Sequence, residues 1–502
     1  MKVFTIFTLM KILSVAQIRS LDAHTIQHEP ISSINLMERA ASAFVRWYCA
    51  RFDNRSQIVV FCGQGNNGGD GLAIARLLST KGYDITVYVV QHSASQSSDF
   101  LQNLERIRNS LSVHTIMNPE GIPTLPSSVV IIDALLGSGL TRPVAGLLQS
   151  VIQSINSTPA QVLSVDIASG LFADKSNGTD DTIVRPDYTI SFQLPKLAFM
   201  IPGNGAYVGN WQVVDIGLSE EYITKAKTPY FFTDQPFAQS LIRTREKFSH
   251  KGTYGHALLL AGSFGKMGAA TLAGRACMRA GAGLLTLHVP RCGYTIAQLS
   301  VPEAMASVDI HEQLITTLPD LTPYTAIGVG PGIGKDPHTL RAMSTLIERA
   351  EVPMVWDADS LNLLSENKHL LSSLPKNTIL TPHPKEFQRL AGNARDDFER
   401  VELAREFARK YQLILCLKGA HTAIVFADGT VHFNATGNAG MATGGSGDVL
   451  TGIITSFLAQ GYSAENAALL GVFQHGAAGD RATSRRGQAS LIASDIIENL
   501  DC

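Results

Sequence analysis

Two series of short apolar runs, spaced by helical stretches and ended by loops rich in glycine, aspartate and asparagine, restrict this chain to very few architectures. After an opening helical segment, roughly 14–52, the first series is 58–61, 85–90, 129–132, 162–165 and 188–192. Such alternation predicts a mostly parallel sheet covered by helices. The pattern lapses between 218 and about 248, where a polar stretch ending at Pro229 is followed by Pro236. It resumes with 256–261, 284–289, 326–329, 353–356, 378–380 and 413–417. Two α/β domains are therefore expected, 10–225 and 226–502. Within the second, 422–426 and 430–433 flank Asp428-Gly429 and predict a hairpin.

The formal net charge is −2, with 45% hydrophobic and 17% charged residues. That balance gives no electrostatic attraction for nucleic acid or an anionic membrane surface. No stretch approaches the roughly 18 uninterrupted apolar residues of a membrane span. The opening Met1–Met10 is apolar only briefly, is followed at once by Lys11 and has no small-residue cleavage site. It reads as a start-site extension, with Met10 an alternative start, and not as a signal peptide. Cys49, Cys62, Cys277, Cys292, Cys416 and Cys502 form no Cys-x-x-Cys pair, so neither a zinc site nor a disulfide framework is indicated. The expectation is a cytoplasmic homo-oligomer without nucleic-acid or membrane partners.

The most chemically explicit stretch is Met441-Ala-Thr-Gly-Gly-Ser-Gly-Asp448-Val-Leu450. Its glycines precede an apolar run to Leu458, so a flexible loop enters a helix whose first amides are free to bind an anion. A carboxylate in that turn, Asp448, suits a base that deprotonates a hydroxyl while the amides hold a transferring phosphoryl group. The same residues would also serve as an ordinary helix start, with Asp448 favoured by the helix dipole.

In the first domain, the strand at 58–61 runs into Gly63-Gln-Gly65-Asn66-Asn67-Gly68-Gly69-Asp70-Gly71 and then a helix. This strand, tight loop and helix form a nucleotide-phosphate cradle. The spacing is not G-x-G-x-x-G, and the next strand ends at Gln91 without an acidic residue for a ribose hydroxyl, which argues against a dehydrogenase. Asn66, Asn67 and Asp70 offer oxygens for a substrate or a monovalent cation, or simply structure the loop. Two further strands end in aspartates, Asp133 before Gly137-Ser138-Gly139 and Asp166 before Ser169-Gly170. Lys196 follows another strand end and either faces the same crevice or is solvated.

These motifs, in this order, resemble the YjeF N-terminal family of epimerases acting on hydrated NADH and NADPH, over about residues 10 to 218. The resemblance implies a Rossmann-like three-layer sandwich. It implies that the hydrated dinucleotide is held by Asn66, Asn67, Gly68, Gly69, Asp70, Gly137, Ser138, Gly139, Leu140, Thr141, Arg142, Pro143 and Asp166. It also places potassium at Asn67, Asp133 and Ser169. Asp166 is the leading candidate for proton shuttling, with Lys196 a second catalytic candidate.

The second domain adds Gly262 to Ala270, Gly328 to Gly334, Asp357-Ala358-Asp359, Thr381-Pro382-His383-Pro384-Lys385-Glu386 and Lys418 to Thr422, each just after a predicted strand. Lys418 can neutralise nucleotide phosphate. Glu386 or the Asp357/Asp359 pair can hold magnesium directly or through water, although the two aspartates also read as solvated and His383 as a turn cap. Over about residues 236 to 500 this set resembles the ribokinase-like superfamily, specifically the ADP- or ATP-dependent dehydratases of hydrated NADH and NADPH. Lys385 stands where that family usually has glycine, which bears on the loop's conformation. The resemblance implies a three-layer α/β fold, with Ala269, Gly332, His383 and Asp448 on the hydrated dinucleotide. Lys418, Gly419, Ala420, His421, Thr422 and Gly447 are then expected on the adenine nucleotide, which binds with magnesium. Asp448 would deprotonate the hydroxyl on carbon six, phosphorylation would follow, and the ester would eliminate. Fusion in one chain favours ADP by resemblance. The competing readings are a small-alcohol kinase carrying a nucleotide-binding module, and a non-catalytic first domain.

Overall fold

The computed structural model describes residues 9–502, so the first eight residues of the apolar opening lie outside the described residues. The chain divides into two units, Lys11–Thr228 and Pro229–Cys502, with Met10 grouped with the second. The single opening helical segment expected from the sequence is in fact two helices, Val15–His28 and Ser33–Cys49. Pro30 accounts for the break, because proline biases the residue before it away from helix. Ser14 starts the first helix through a reciprocal cap with Gln17.

A two-residue strand, β1 (Met10–Lys11), comes first in the chain. The sheet of the first unit then comprises β2 (Ile58–Cys62), β3 (Ile85–Val90), β4 (Ser112–Ile116), β5 (Val130–Ala134), β6 (Gln161–Val165), β7 (Tyr188–Phe192) and β8 (Asn210–Val214). All seven pair in parallel, in the order β4-β3-β2-β5-β6-β7-β8. Strands β4 and β8 have no clear apolar signature because they are the two edges, and only Ile116 of β4 is buried. The order reverses between β2 and β5. Loops following the strands there diverge and leave a crevice.

The second unit contributes β9 (Tyr230–Thr233), β10 (His256–Leu260), β11 (Leu284–Val289), β12 (Met305–Val308), β13 (Ala326–Val329), β14 (Met354–Trp356), β15 (Ile379–Leu380), β16 (Ile414–Leu417), β17 (Ala423–Val425) and β18 (Val431–Asn434). Its sheet runs β1-β9-β18-β17-β16-β15-β14-β13-β10-β11-β12. Strands β17 and β18 form the expected hairpin about Asp428-Gly429, and β17 runs antiparallel to both its neighbours, β16 and β18, whereas β15 pairs with β16 and β9 with β18 in parallel. Strand β9 falls inside the polar lapse of the sequence, and β12 is a half-exposed edge. The reversal of order here lies between β13 and β10.

Helix Ser446–Ala459 is apolar around its circumference, and every residue from Val449 to Ala459 is buried. A Cβ on Gly452 would come within 2.1 Å of the Ala273 carbonyl oxygen on helix Met267–Arg279. Gly452→Ala must push these helices apart, at an expected cost of about 1–3 kcal/mol for overpacking. Calorimetry should show an earlier unfolding transition; an unchanged midpoint would contradict this close approach. Among the described residues no helix is long and apolar enough to cross a membrane.

Candidate functional site

The crevice of the first unit is a cleft of about 1270 Å³, large enough for a dinucleotide. The helix Asn66–Ser79 begins directly after the loop that follows β2, which brings Asn66, Asn67 and Asp70 to its wall. Gly137 to Pro143 form another wall, and Asp166 and Lys196 line it as well. Gly68 and Gly69 do not reach the wall. Both are buried beneath the loop, and the Gly69 amide is already bonded to the Gly65 carbonyl.

Asp166 terminates β6 in the left-handed region, with φ of 67°. Non-glycine residues hold that conformation only when their surroundings enforce it, and such strain gathers at functional sites. Here its amide donates to the Ile190 carbonyl at 2.8 Å, and its Oδ1 accepts from the Phe192 amide at 3.1 Å and from Lys196 Nζ at 2.6 Å. Lys196 is only 1% exposed and also donates to Ser191 Oγ and the Leu194 carbonyl. The solvated alternative for Lys196 is thereby removed. Burial, then the charge of Asp166, pushes Asp22 up to about 6, against the pull of Lys196. Burial and the charges of Asp166, Asp22 and Asp99 push Asp70 well up.

Asp133 lies beneath the cleft, fully buried. Its carboxylate accepts from Ser169 Oγ (2.5 Å), Ser164 Oγ (2.7 Å), the Ser169 amide (2.9 Å) and the Leu135 amide (3.2 Å). Burial still raises its pKa against these bonds. Asn67 Nδ2 donates to the Val165 carbonyl at 2.9 Å, while its Oδ1 is buried without a partner among the described residues. A buried oxygen without a donor, and a buried carboxylate whose donors among those residues are all neutral, fit a weakly hydrated cation.

In the second unit the loops after β10 and β13 meet at the reversal of order: the Gly262 amide donates to the Pro331 carbonyl, and Ser263 Oγ to the Gly332 carbonyl at 2.6 Å. Ala269 and Gly332 consequently adjoin, since a Cβ on Gly332 would lie 3.2 Å from that of Ala269. Gly445 takes a left-handed turn (φ 87°) into the helix, and the amides of Gly447 and Asp448 donate to no other described group. They are the free first-turn donors of an anion site.

Lys418 Nζ sits 2.9 Å from Asp357 Oδ1, and Thr451 Oγ1 holds Asp357 Oδ2 at 2.8 Å. Both charged groups lie against Gly447, where a Cβ would be 3.3 Å from Lys418 Nζ and 3.4 Å from Asp357 Oδ2. Asp448 accepts no hydrogen bond among the described residues. Burial and the charge of Asp357 raise it to about 6; Lys418 opposes and Asp359 adds to the shift. Asp359 accepts from Lys266 Nζ (3.0 Å) and the Gly334 amide (2.9 Å), so neither aspartate of the pair is merely solvated.

His383 caps helix Pro384–Ala391: its Nδ1 accepts from the Lys385 and Glu386 amides, and Glu386 returns a bond to the His383 amide at 2.8 Å. The ring is therefore fixed, with its Nε2 3.5 Å from Glu386 Oε1. Glu386 is engaged by the cap, as Asp357 is by Lys418 and Thr451 and Asp359 is by Lys266 and the Gly334 amide. Gly419 and Ala420 are exposed, Thr422 Oγ1 bonds back to Gly419, and His421 Nδ1 lies 2.9 Å from the Asn434 carbonyl oxygen. His421 thus braces its loop through one ring nitrogen.

Sequence reading missed four side chains. His475 Nε2 lies 3.2 Å from Ser446 Oγ at the helix start, and burial pushes it down to about 4, so it is neutral. Asp480 receives the Gly437 amide (2.9 Å) and Asn438 Nδ2 (2.8 Å), anchoring the loop that leads to Asp448. Asp22 and Arg19 line the first cleft from helix Val15–His28. None belongs to a glycine-rich loop or a strand end, the only signals that mark such positions in the sequence.

The YjeF-related protein N-terminus family matches residues 33–198, and the NAD(P)H-hydrate dehydratase family matches 257–501. The bifunctional NAD(P)H-hydrate repair enzyme Nnr of Moorella thermoacetica is 36% identical, with 98% of this chain and 96% of the relative covered. That of Escherichia coli is 31% identical over 93% and 88%. A solved structure of ADP/ATP-dependent NAD(P)H-hydrate dehydratase from Bacillus subtilis, co-crystallised with ATP and Mg2+, is 33% identical, covering 54% of this chain and 95% of that one, with a TM-score of 0.48. The chain therefore belongs to the bifunctional NAD(P)H-hydrate repair enzymes, joining a YjeF-type N-terminal domain to a dehydratase domain.

Proposed function

We propose that residues 10–225 interconvert the R and S epimers of hydrated NADH and NADPH, and that residues 226–502 dehydrate the S epimer with ADP, giving AMP and phosphate. The observation that carries the second half is Asp448, a carboxylate without a hydrogen-bond partner beside the free amides of Gly447 and Asp448 and the Lys418 ammonium. Asp448 takes the proton of the hydroxyl on carbon six as its oxygen attacks the terminal phosphoryl group. Those amides and Lys418 hold the charge that develops on the phosphoryl oxygens. The ester then loses phosphate, a far better leaving group than hydroxide, carbon five gives up a proton to solvent, and the ring double bond returns. Asp357 and Asp359 would hold magnesium, which neutralises nucleotide phosphate charge. Asn67, Asp133 and Ser169 would hold potassium, which compensates the buried Asp133 carboxylate.

The test is recovery of the near-ultraviolet absorbance of reduced nicotinamide from a mixed-epimer hydrate, with magnesium and either ADP or ATP. Full recovery supports both activities. No recovery with either nucleotide, from folded protein, would return the chain to the small-alcohol kinase reading. The pH profile is a sharper check. Asp448 must be ionised to act as base and titrates at about 6, so kcat/KM for dehydration should fall about tenfold per pH unit below that value. A limb near the usual carboxylate range would remove Asp448 from the role.

A further inference from the structure

Two carboxyl groups on the cleft of the first unit, Asp22 and Asp70, accept no hydrogen bond among the described residues. Asp133, Asp166, Asp99, Asp174 and Asp187 each accept at least one hydrogen bond from a protein donor. Asp22, half-buried on helix Val15–His28, accepts none among the described residues, yet it lines the same cleft as the Asp166–Lys196 pair and feels the charge of both. The other ionisable groups on the cleft are Arg19 on the same helix, Asp70 on helix Asn66–Ser79, and His92 and Arg142 on loops. Lys196 is committed to Asp166. A carboxyl group held over a cleft without a protein partner is placed to meet a ligand atom.

The reaction needs such a group. Carbon six of the hydrated ring carries both the hydroxyl and ring nitrogen one, so it is a carbinolamine, and inverting it requires that a bond to carbon six break and reform. One base cannot do this alone, because the electron pair released onto nitrogen must be met by a proton. We propose that Asp22 is a catalytic residue of the epimerase, the proton donor to ring nitrogen one that works against Asp166. This rests on the reading that the cleft holds the hydrated ring at the Asp166–Lys196 pair.

In the opening step Asp166 takes the hydroxyl proton, the O–H pair becomes the second C=O bond, and the C6–N1 pair passes to nitrogen, which takes the proton of Asp22. The products are an aldehyde and a vinylogous amide. Rotation about the C5–C6 bond turns the other carbonyl face to nitrogen. Closure then forms C6–N1, returns the nitrogen proton to Asp22 and the Asp166 proton to oxygen. Nothing is oxidised or reduced, and the enzyme ends as it began. A donor that must give and retake a proton works best with a pKa near the working pH. Asp22, at about 6, meets that condition, and it feels the charges of both Asp166 and Lys196, whereas burial and the charges of Asp166, Asp22 and Asp99 push Asp70 up.

The experiment uses the full chain with magnesium, ADP and mixed-epimer hydrated NADH. The S share is dehydrated first, and the slower phase then reports epimerisation of the remainder. Asp22→Asn should slow the second phase at least 100-fold toward the enzyme-free rate, in kcat with KM little changed, and leave the first phase as it was. Asp22→Glu should restore a tenth or more of the rate. Because Asp22 must start protonated, wild-type kcat/KM for epimerisation should fall as pH rises above about 6, opposite in sense to dehydration. Asp22→Asn retaining a tenth of the rate, a loss confined to KM, or a failed rescue by Glu would each overturn the proposal. Asp166→Asn run alongside separates the two failures: if it too epimerises normally, the reading of the cleft falls, and Asp22 with it.

Discussion

Asp448→Asn abolishes regeneration of NADH from its hydrate and leaves adenine-nucleotide binding intact. The substitution keeps the shape of the side chain and the first-turn amides around it, but removes the carboxylate beside them that accepts no hydrogen bond among the described residues. General-base catalysis contributes about 10²–10⁴-fold, and a loss of about 10³-fold corresponds to roughly 4 kcal/mol of barrier. The charge change has a second consequence. Asp448 is raised to about 6 partly by Asp357 and Asp359, so neutralising it relieves repulsion against an incoming nucleotide, and affinity for ADP or ATP should hold or rise. Absorbance recovery measures the first effect and titration calorimetry with each nucleotide the second. A variant that keeps a tenth of wild-type kcat, or that loses nucleotide binding together with activity, would make Asp448 a binding residue.

Parts of both sites were legible in the sequence because backbone chemistry announces them. A loop whose amides must face a ligand needs glycine, and an aspartate at a strand end followed by a glycine turn has no structural reason to recur, as it does at Asp133 and Asp166. That logic reaches Asp448, Asp133, Asp166 and the Asn66 to Asp70 loop. It fails for side chains delivered from helices, because Asp22, His475 and Asp480 occupy positions that any amphipathic helix fills with polar residues. It also misjudges the glycines themselves: Gly68 and Gly69 serve packing beneath the loop, and the cleft wall is left to Asn66, Asn67 and Asp70. The strands that escaped, β4, β8, β9 and β12, share a cause. Edges and near-edges are partly exposed and need no continuous apolar run.

Asp166→Asn should confine absorbance recovery from a mixed-epimer hydrate to the share of one epimer, and it should also destabilise the first unit. Both effects follow from the pair with Lys196. The lysine is 1% exposed and its other acceptors, Ser191 Oγ and the Leu194 carbonyl, are neutral. Removing the carboxylate leaves a buried ammonium uncompensated, a change that typically costs about 3–5 kcal/mol. Loss of epimerisation in the single variant is therefore ambiguous by itself. Lys196→Met in the same chain resolves it: an apolar side chain of similar length removes the stranded charge, so the double variant should recover most of the thermal stability and none of the epimerisation. Recovery of both would mean that the pair holds the strained turn at Asp166 and takes no part in proton transfer. Recovery of neither would place the energetic weight on the Asp166 backbone, whose φ of 67° is fixed through the Phe192 amide as well as through Lys196.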